Sequence, residues 1–449
     1  GPRSRAMALS VTDLQLSYGC PLQKIQSKDI AGSPYAISKY RVPKALGGEA
    51  GLRTFRTKLH EFGIRLLLDF VPNHVGLDHP WLNDRPELFV QSAQEQPGFF
   101  VQQTNGGPQW IAHGRDPNFA PWSDTAQLDF RQPATRAAMQ DQLLSVANRC
   151  DGVRCDMAML LLNEVFEKTW AAFPPWRNVA TTGNLSCETE SEFWQKAIAA
   201  TKRVHPEFEF MAEVYWGREA RLQSLGFDFT YHKEVYDELI RRNPVGVRQR
   251  LLNSTPEFLS ASVHFLENHD EVRIASLLSL AEHRAAALLL LSLPGMRLLH
   301  EGQLSGARQR VPVQVACRAV EAIDAEVRHL YEDLLSRIKN TPVGKGSFVM
   351  LTAEEAEPGN LTARNIVFIL WYENEREVYL SAINLASGRS RARVGLPVKP
   401  RGQTAFTVSN LLTEELLTNA GHVEGESPGI ILDLAQHEGR LLRIELNEC

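Results

Sequence analysis

From about residue 50 to 302, short apolar runs alternate with longer amphipathic stretches. The run at 64–71 follows a helix-like 52–61 that stops at Gly63, where a residue without a Cβ can take the left-handed turn that closes a helix. A helix-like 133–149 leads into 152–156, and a helix-like 192–204 leads into 208–214. Apolar runs at 227–232, 262–267 and 295–301 follow, with helical spacers between them. Six strands alternating with helices predict a parallel sheet with crossovers, and the length predicts closure into a barrel.

Between His74 and Asp129 the alternation lapses into Pro, Gly, Asn and aromatics, as in Gln96-Pro97-Gly98-Phe99-Phe100 and Asn105-Gly106-Gly107-Pro108. An irregular stretch this long inside a compact domain reads as functional or as a small subdomain. After about residue 340 the period shortens. The segments 346–352, 365–372, 377–384, 404–408 and 440–446 are β-rich, which predicts a C-terminal antiparallel β-sandwich. The expected organisation is a remnant of cloning at 1–7, a β/α barrel at 8–340 with an inserted subdomain at about 75–128, and the sandwich at 341–449.

Composition narrows this picture only a little. The 449 residues are 43% hydrophobic and 22% charged, with a formal net charge of −5. That is an ordinary globular balance, without the basic face a nucleic-acid binder needs. No apolar block is long enough to span a membrane, and no signal peptide is visible, although a leader could have preceded the opening residues. The six cysteines (20, 150, 155, 187, 317 and 449) form no CxxC pair, and Cys155 sits in an apolar run beside Asp156. This usage points to a reducing compartment, the cytoplasm. The sequons at Asn184, Asn253 and Asn360 are read as chance matches.

The chemistry gathers where the apolar runs end. These ends read Asp69-Phe70-Val71-Pro72-Asn73-His74, Gly152-Val153-Arg154-Cys155-Asp156, Met211-Ala212-Glu213-Val214 and Phe265-Leu266-Glu267-Asn268-His269-Asp270. In a parallel barrel the strand ends form the rim that carries catalytic side chains. Retaining glycosidases need an ionised carboxylate as nucleophile and a protonated one as acid, about 5–5.5 Å apart. Arg154, two residues before Asp156, shares its face of the strand and is expected to keep that carboxylate ionised. The apolar setting of Glu213 suits an acid, and Asp270 supplies a third carboxylate.

At these residues the chain resembles the α-amylase family of glycoside hydrolases, whose four signature regions the strand ends match in order. The resemblance runs from about residue 29 to the end. It implies a (β/α)8 barrel with an insertion after the third strand and a C-terminal β-sandwich. It further implies Asp156 as nucleophile, Glu213 as general acid/base and Asp270 as transition-state stabiliser. Arg154 would pair with the nucleophile, while His74 and His269 would hydrogen-bond the same sugar. Tyr35, in Gly32-Ser33-Pro34-Tyr35, would stack under that sugar, and Trp216 could stack at a neighbouring subsite.

Three departures qualify the resemblance. Met159-Leu160 replaces a Lys-His that contributes a sugar contact and a calcium-ligating carbonyl in many relatives. Asn73 is retained, but a calcium ion is not favoured. Tyr35-Ala36 replaces the Tyr-Asp of exo-acting α-glucosidases, which disfavours single-glucose release. Relatives also place two strands and a helix before the Tyr35 loop, where this chain offers one plausible strand, in 7–19. The barrel is therefore expected to lack one or two N-terminal strands, with a second copy covering the gap as a homodimer; a poorly folding fragment is the alternative. The implied activity is hydrolysis of α-1,4-glucosidic bonds in starch, glycogen or maltooligosaccharides. The rivals are an α-glucan transglycosylase with the same triad and a catalytically impaired glucan-binding protein.

Overall fold

A computed structural model describes residues 1–10, 27–173, 191–318, 320–373, 377–397, 406–417, 421–422 and 429–446. Cys20, Cys187, Cys449, the Asn184 sequon and most of the expected strand in 7–19 lie outside these residues. The chain divides into two compact units, Gly1–Tyr231 with Val311–Arg318, and His232–Arg310 with Ala319–Cys449.

The first unit carries four parallel strands: β1 (Leu67–Phe70), β2 (Gly152–Cys155), β3 (Glu209–Ala212) and β4 (Phe229–Tyr231), in that spatial order. Each falls within an apolar run of the sequence. Every residue of β2 is buried, as expected of a central parallel strand covered on both faces. Gly152 is required there, because a Cβ would stand 2.7 Å from the Glu209 carbonyl of the neighbouring strand. Helices join the strands: α1 (Gly48–Glu61) precedes β1, α2 (Pro133–Ala147) precedes β2 and α3 (Phe193–Val204) precedes β3. In α3 the buried Trp194, Ala197, Ile198 and Thr201 recur every three or four residues, which is one helix face. By contrast α1 buries none of its residues, and Phe55 and Phe62 are 55% and 79% exposed. Among the described residues β1 is paired with β2 alone.

The irregular stretch after His74 folds on its own terms. His74–Gly76 pairs antiparallel with Thr125–Gln127, and Gln91–Ser92, Gly107–Ala112 and Phe99–Thr104 form a three-stranded sheet. The opening residues are helical at Pro2–Ser10, with Ser4 Oγ donating to Asp124 at 2.5 Å and the Arg3 amide donating to Asp78 at 2.8 Å.

In the second unit, parallel strands β5 (Ser262–Phe265) and β6 (Met296–Leu298) flank α4 (Leu280–Ser292), and α5 (Ala325–Ile338) follows. Ser279 starts α4 with a reciprocal capping box to Glu282, and Asp324 caps α5 through the amides of Glu326 and Val327. The C-terminal region forms a six-stranded and a four-stranded antiparallel sheet. Strand Ile366–Tyr372 shows why both hold. Ile366, Phe368 and Leu370 pack into the core shared with the four-stranded sheet. The alternate residues Val367, Ile369 and Trp371 pack with Leu288, Leu289 and Leu330 of α4 and α5. Strands Ser390–Gly395 and Gly429–Leu434, both of the four-stranded sheet, fall outside the predicted segments. No helix among the described residues is long and apolar enough to cross a membrane.

Candidate active site

The ends of β1, β2 and β3 are tied together by backbone. The amide of Asp156 donates to the Phe70 carbonyl at 2.9 Å, and the amide of Glu213 donates to the Cys155 carbonyl at 3.0 Å. Just after β2 the chain turns through Met157 in the left-handed region (φ 44°), and its amide donates to Glu213 Oε2 at 2.8 Å. Asp156 and Glu213 are thereby fixed at neighbouring strand ends, both buried.

One guanidinium links the two carboxyls. Arg154 Nη1 lies 3.0 Å from Asp156 Oδ1 and 3.0 Å from Asp69 Oδ1, while Nη2 lies 2.9 Å from Glu213 Oε2. Its cation also faces the rings of Tyr35 and Tyr231 at 5.6 and 5.9 Å. Burial opposes the charge on Arg154, but Glu213, Tyr231, Asp156 and Asp69 together outweigh it and hold the guanidinium above its ordinary value. Asp156 shifts upward: burial is the main cause, the charge of Glu213 adds to it, and Arg154 only partly opposes them. The contact expected between Arg154 and Asp156 is present, yet desolvation exceeds its effect on the carboxyl.

Of the other side chains singled out in the sequence, Tyr35 lies beside this pair, with its ring 5.6 Å from the Arg154 cation. Tyr35 keeps its phenol proton, chiefly because burial raises it. His74 is pushed down to about 4, first by burial and against a hydrogen bond to the Tyr35 backbone, so the ring is neutral. That ring packs 5.1 Å from Trp122, and the 113–114 turn can pass it only because Gly114 has no Cβ. Trp216 is partly exposed, with left-handed backbone at φ 64°.

Asp270 and His269 belong to the second unit, on the loop after β5. Asn268 Oδ1 accepts from the amides of Asp270 and Glu271 at 2.9 and 3.0 Å, which folds the loop into a turn. His269 Nε2 lies 3.1 Å from Asp270 Oδ2. The loop is anchored by Glu267, which is fully buried. Its Oε1 accepts from Arg273 at 2.7 Å, and its Oε2 accepts from the Ile274 amide at 2.6 Å.

The residues around Asn73 do not fit a calcium ion. Gln127 Nε2 donates to the Asn73 carbonyl, to Asn73 Oδ1 and to the Leu128 carbonyl at 2.9, 3.0 and 3.0 Å, and Asn73 Nδ2 returns a bond to Gln127 Oε1 at 3.2 Å. A buried amide nitrogen thus occupies the position a cation would need among these oxygens. Among the described residues no group of three or more His, Cys, Asp or Glu could hold a metal.

Sequence reasoning missed Asp69, Tyr215, Tyr231 and Gln127 as members of this cluster. Tyr215 carried a partial signal, since it follows Glu213 by two residues just beyond the end of β3. Gln127 carried none, because its partner lies 54 residues away in sequence.

Comparison with known proteins bears on this arrangement. The model of the alpha amylase catalytic domain matches residues 12–337. The chain is 26% identical over 298 residues to alpha-amylase MalA of Haloarcula japonica, covering 64% of this chain and 39% of that protein. It is 21% identical over 331 residues to alpha-amylase 3 of Dictyoglomus thermophilum, covering 68% and 59%. It is 24% identical over 358 residues to an alpha-glucosidase of Culex pipiens, covering 68% and 58%. The chain thus spans between 39% and 59% of the length of these curated relatives. In fold it is similar to the maltogenic alpha-amylase AmyB of Thermotoga neapolitana, with a TM-score of 0.66 at 18% identity over 93% of this chain and 86% of that one. It is likewise similar to an alpha-amylase of Lactobacillus plantarum, with a TM-score of 0.62 at 23% identity over 92% and 86%.

Proposed function

The chain belongs to the alpha-amylase family of glycoside hydrolases, and from that premise we propose that it hydrolyses α-1,4-glucosidic bonds of starch, glycogen or maltooligosaccharides with retention of configuration. One observation carries the reading: the two amino groups of Arg154 each hold a different carboxyl, Asp156 and Glu213. Bringing both within the span of a single guanidinium is compatible with the short gap of double displacement, about 5–5.5 Å.

In the proposed cycle Asp156, ionised, attacks the anomeric carbon while Glu213 gives its proton to the leaving oxygen. A β-glycosyl enzyme forms and the aglycone departs. Glu213, now a carboxylate, takes a proton from water, and the resulting hydroxide releases an α-configured product and frees Asp156. Burial and the charge of Glu213 raise Asp156, and Arg154, 3.0 Å from its Oδ1, opposes that rise and favours the ionised form the attack needs. Asp270 is assigned, by the family resemblance, to stabilising the distorted sugar. Tyr35, His74 and His269 are assigned to the same sugar, and Trp216 to a neighbouring one.

Incubation with soluble starch and maltoheptaose, followed by product chromatography and determination of the first-formed anomer, tests the reading. Alpha products that disappear in Asp156→Asn support it. Beta products, or activity that survives this substitution, reject it. Longer oligosaccharides than the starting maltoheptaose would assign transglycosylation instead.

Two further proposals concern assembly and location. The side of β1 that no described residue pairs, and the exposed Phe55 and Phe62, support a homodimer that covers this face; light scattering that returns the mass of a single chain would reject it. The free thiols of Cys150, Cys155 and Cys317 support a reducing, cytoplasmic setting. A thiol titration of the denatured protein checks this.

A further inference from the structure

Glu213 is more constrained than an acid/base needs to be, and its two oxygens differ. Oε2 accepts from the Met157 amide at 2.8 Å and faces Arg154 Nη2 at 2.9 Å. Both partners are donors that have no acceptor to offer. A proton on Oε2 would point at one of them, so the dissociable proton belongs on Oε1. The partner of Oε1 is the hydroxyl of Tyr215, 2.8 Å away. A phenol hydroxyl can donate or accept, and it is the one partner named here whose role can reverse when the carboxyl changes charge.

We propose that Tyr215 is a positioning residue that follows the proton on Glu213, donating to Oε1 when the carboxyl is ionised and accepting from Oε1–H when it is protonated. The backbone supports this placement. Trp216 and Gly217, directly after Tyr215, both lie in the left-handed region, at φ 64° and 69°. For a tryptophan that conformation persists only where the surroundings impose it. The turn follows Tyr215 directly, and the Tyr215 hydroxyl reaches Glu213 Oε1 at 2.8 Å.

This assignment has a direct consequence for the cycle. When Glu213 passes its proton from Oε1 to the leaving oxygen, the Tyr215 hydroxyl rotates its own hydrogen toward Oε1 and makes a charge-assisted bond to the new carboxylate. When Glu213 later takes a proton from water, the hydroxyl turns back and accepts. Tyr215 itself stays protonated throughout, and no bond to it is made or broken. Removing the hydroxyl withdraws a donor that favours the ionised state, so the acid form survives to higher pH.

The inference rests on reading Glu213 as the acid/base, and the experiment separates the two. The kcat and KM for maltoheptaose are measured from pH 4 to 10 for the wild type, Tyr215→Phe and Glu213→Gln, with a melting curve for each. Tyr215→Phe is expected to leave KM within about twofold and to lower kcat about tenfold. It is also expected to move the alkaline limb of kcat/KM upward by roughly 0.5–1 pH unit. An alkaline limb that superimposes on that of the wild type overturns the inference, even if kcat falls, because a merely structural role predicts that result. Activity that survives Glu213→Gln, or a wild type inactive on maltoheptaose, overturns the reading of Glu213 and this inference with it. Should Tyr215→Phe melt well below the wild type, Tyr215→His, which keeps a ring group able to donate or accept, replaces it. Its alkaline limb is expected to lie nearer the wild type than that of Tyr215→Leu, and equal limbs in the two overturn the inference.

Discussion

The loop-borne carboxylate Asp270 and the strand-end pair Asp156 and Glu213 are held by opposite means. Asp156 and Glu213 are buried and joined through Arg154, and desolvation together with the charge of Glu213 raises Asp156. Asp270 has a side chain 45% exposed, and its shape comes from the Asn268 turn and the Glu267–Arg273 anchor beneath it. A buried carboxyl feels its neighbours' charges strongly, which water would screen. An exposed carboxylate stays solvated and can exchange its water for sugar hydroxyls. Groups that move charge and groups that receive a ligand therefore need different surroundings, even within one proposed reaction.

The most direct way to break this contrast is activity. Asp156→Asn is expected to abolish turnover by about 10³-fold or more. Asp270→Asn, which removes charge but keeps polar contact, is expected to cost less, about 10²-fold. Initial rates on maltoheptaose compare them, and equal losses would dissolve the distinction.

Stability sharpens the comparison next. Arg154→Leu leaves two buried carboxyls without their cation and is expected to cost about 3–5 kcal/mol in denaturant unfolding at pH 7. A smaller cost follows for Gln127→Ala, which strands the Asn73 oxygen and two buried carbonyls: about 1–3 kcal/mol, without restoration by calcium.

The smallest effect is a pH slope. Asp156 titrates above its ordinary value in the folded chain, so the folded state binds the extra proton. The stability this confers is present at acidic pH and is lost as pH rises out of the ordinary carboxylate range. Asp156→Asn carries no such proton. Relative to the wild type, its melting temperature should therefore be higher at pH 8 than at pH 5, by roughly 2–4 °C.

Apolar periodicity located all six parallel strands because their runs are short, buried and bounded by charged or turn residues, as at 152–156. It did not pick out Ser390–Gly395, where Arg391 and Arg393 alternate with buried Ala392 and Val394. The burial of those two apolar residues comes from the facing sheet, which is distant in sequence. Arg154 beside Asp156 was legible because strand alternation is a local rule. The Asn73–Gln127 amide pair was not, because it depends on how the insertion returns to the end of β1.

By itself the sequence determined which residue types stand at the strand ends, in what order, and that Arg154 and Asp156 share a strand face. Only the tertiary structure decided their partners and the direction in which Asp156 shifts. Desolvation and the approach of Glu213 act through space, and they raise Asp156 although its nearest sequence neighbour of opposite charge, Arg154, pulls the other way. Which oxygen of Glu213 is left to face Tyr215 follows from a turn at Met157, 56 residues earlier, and no local pattern records it.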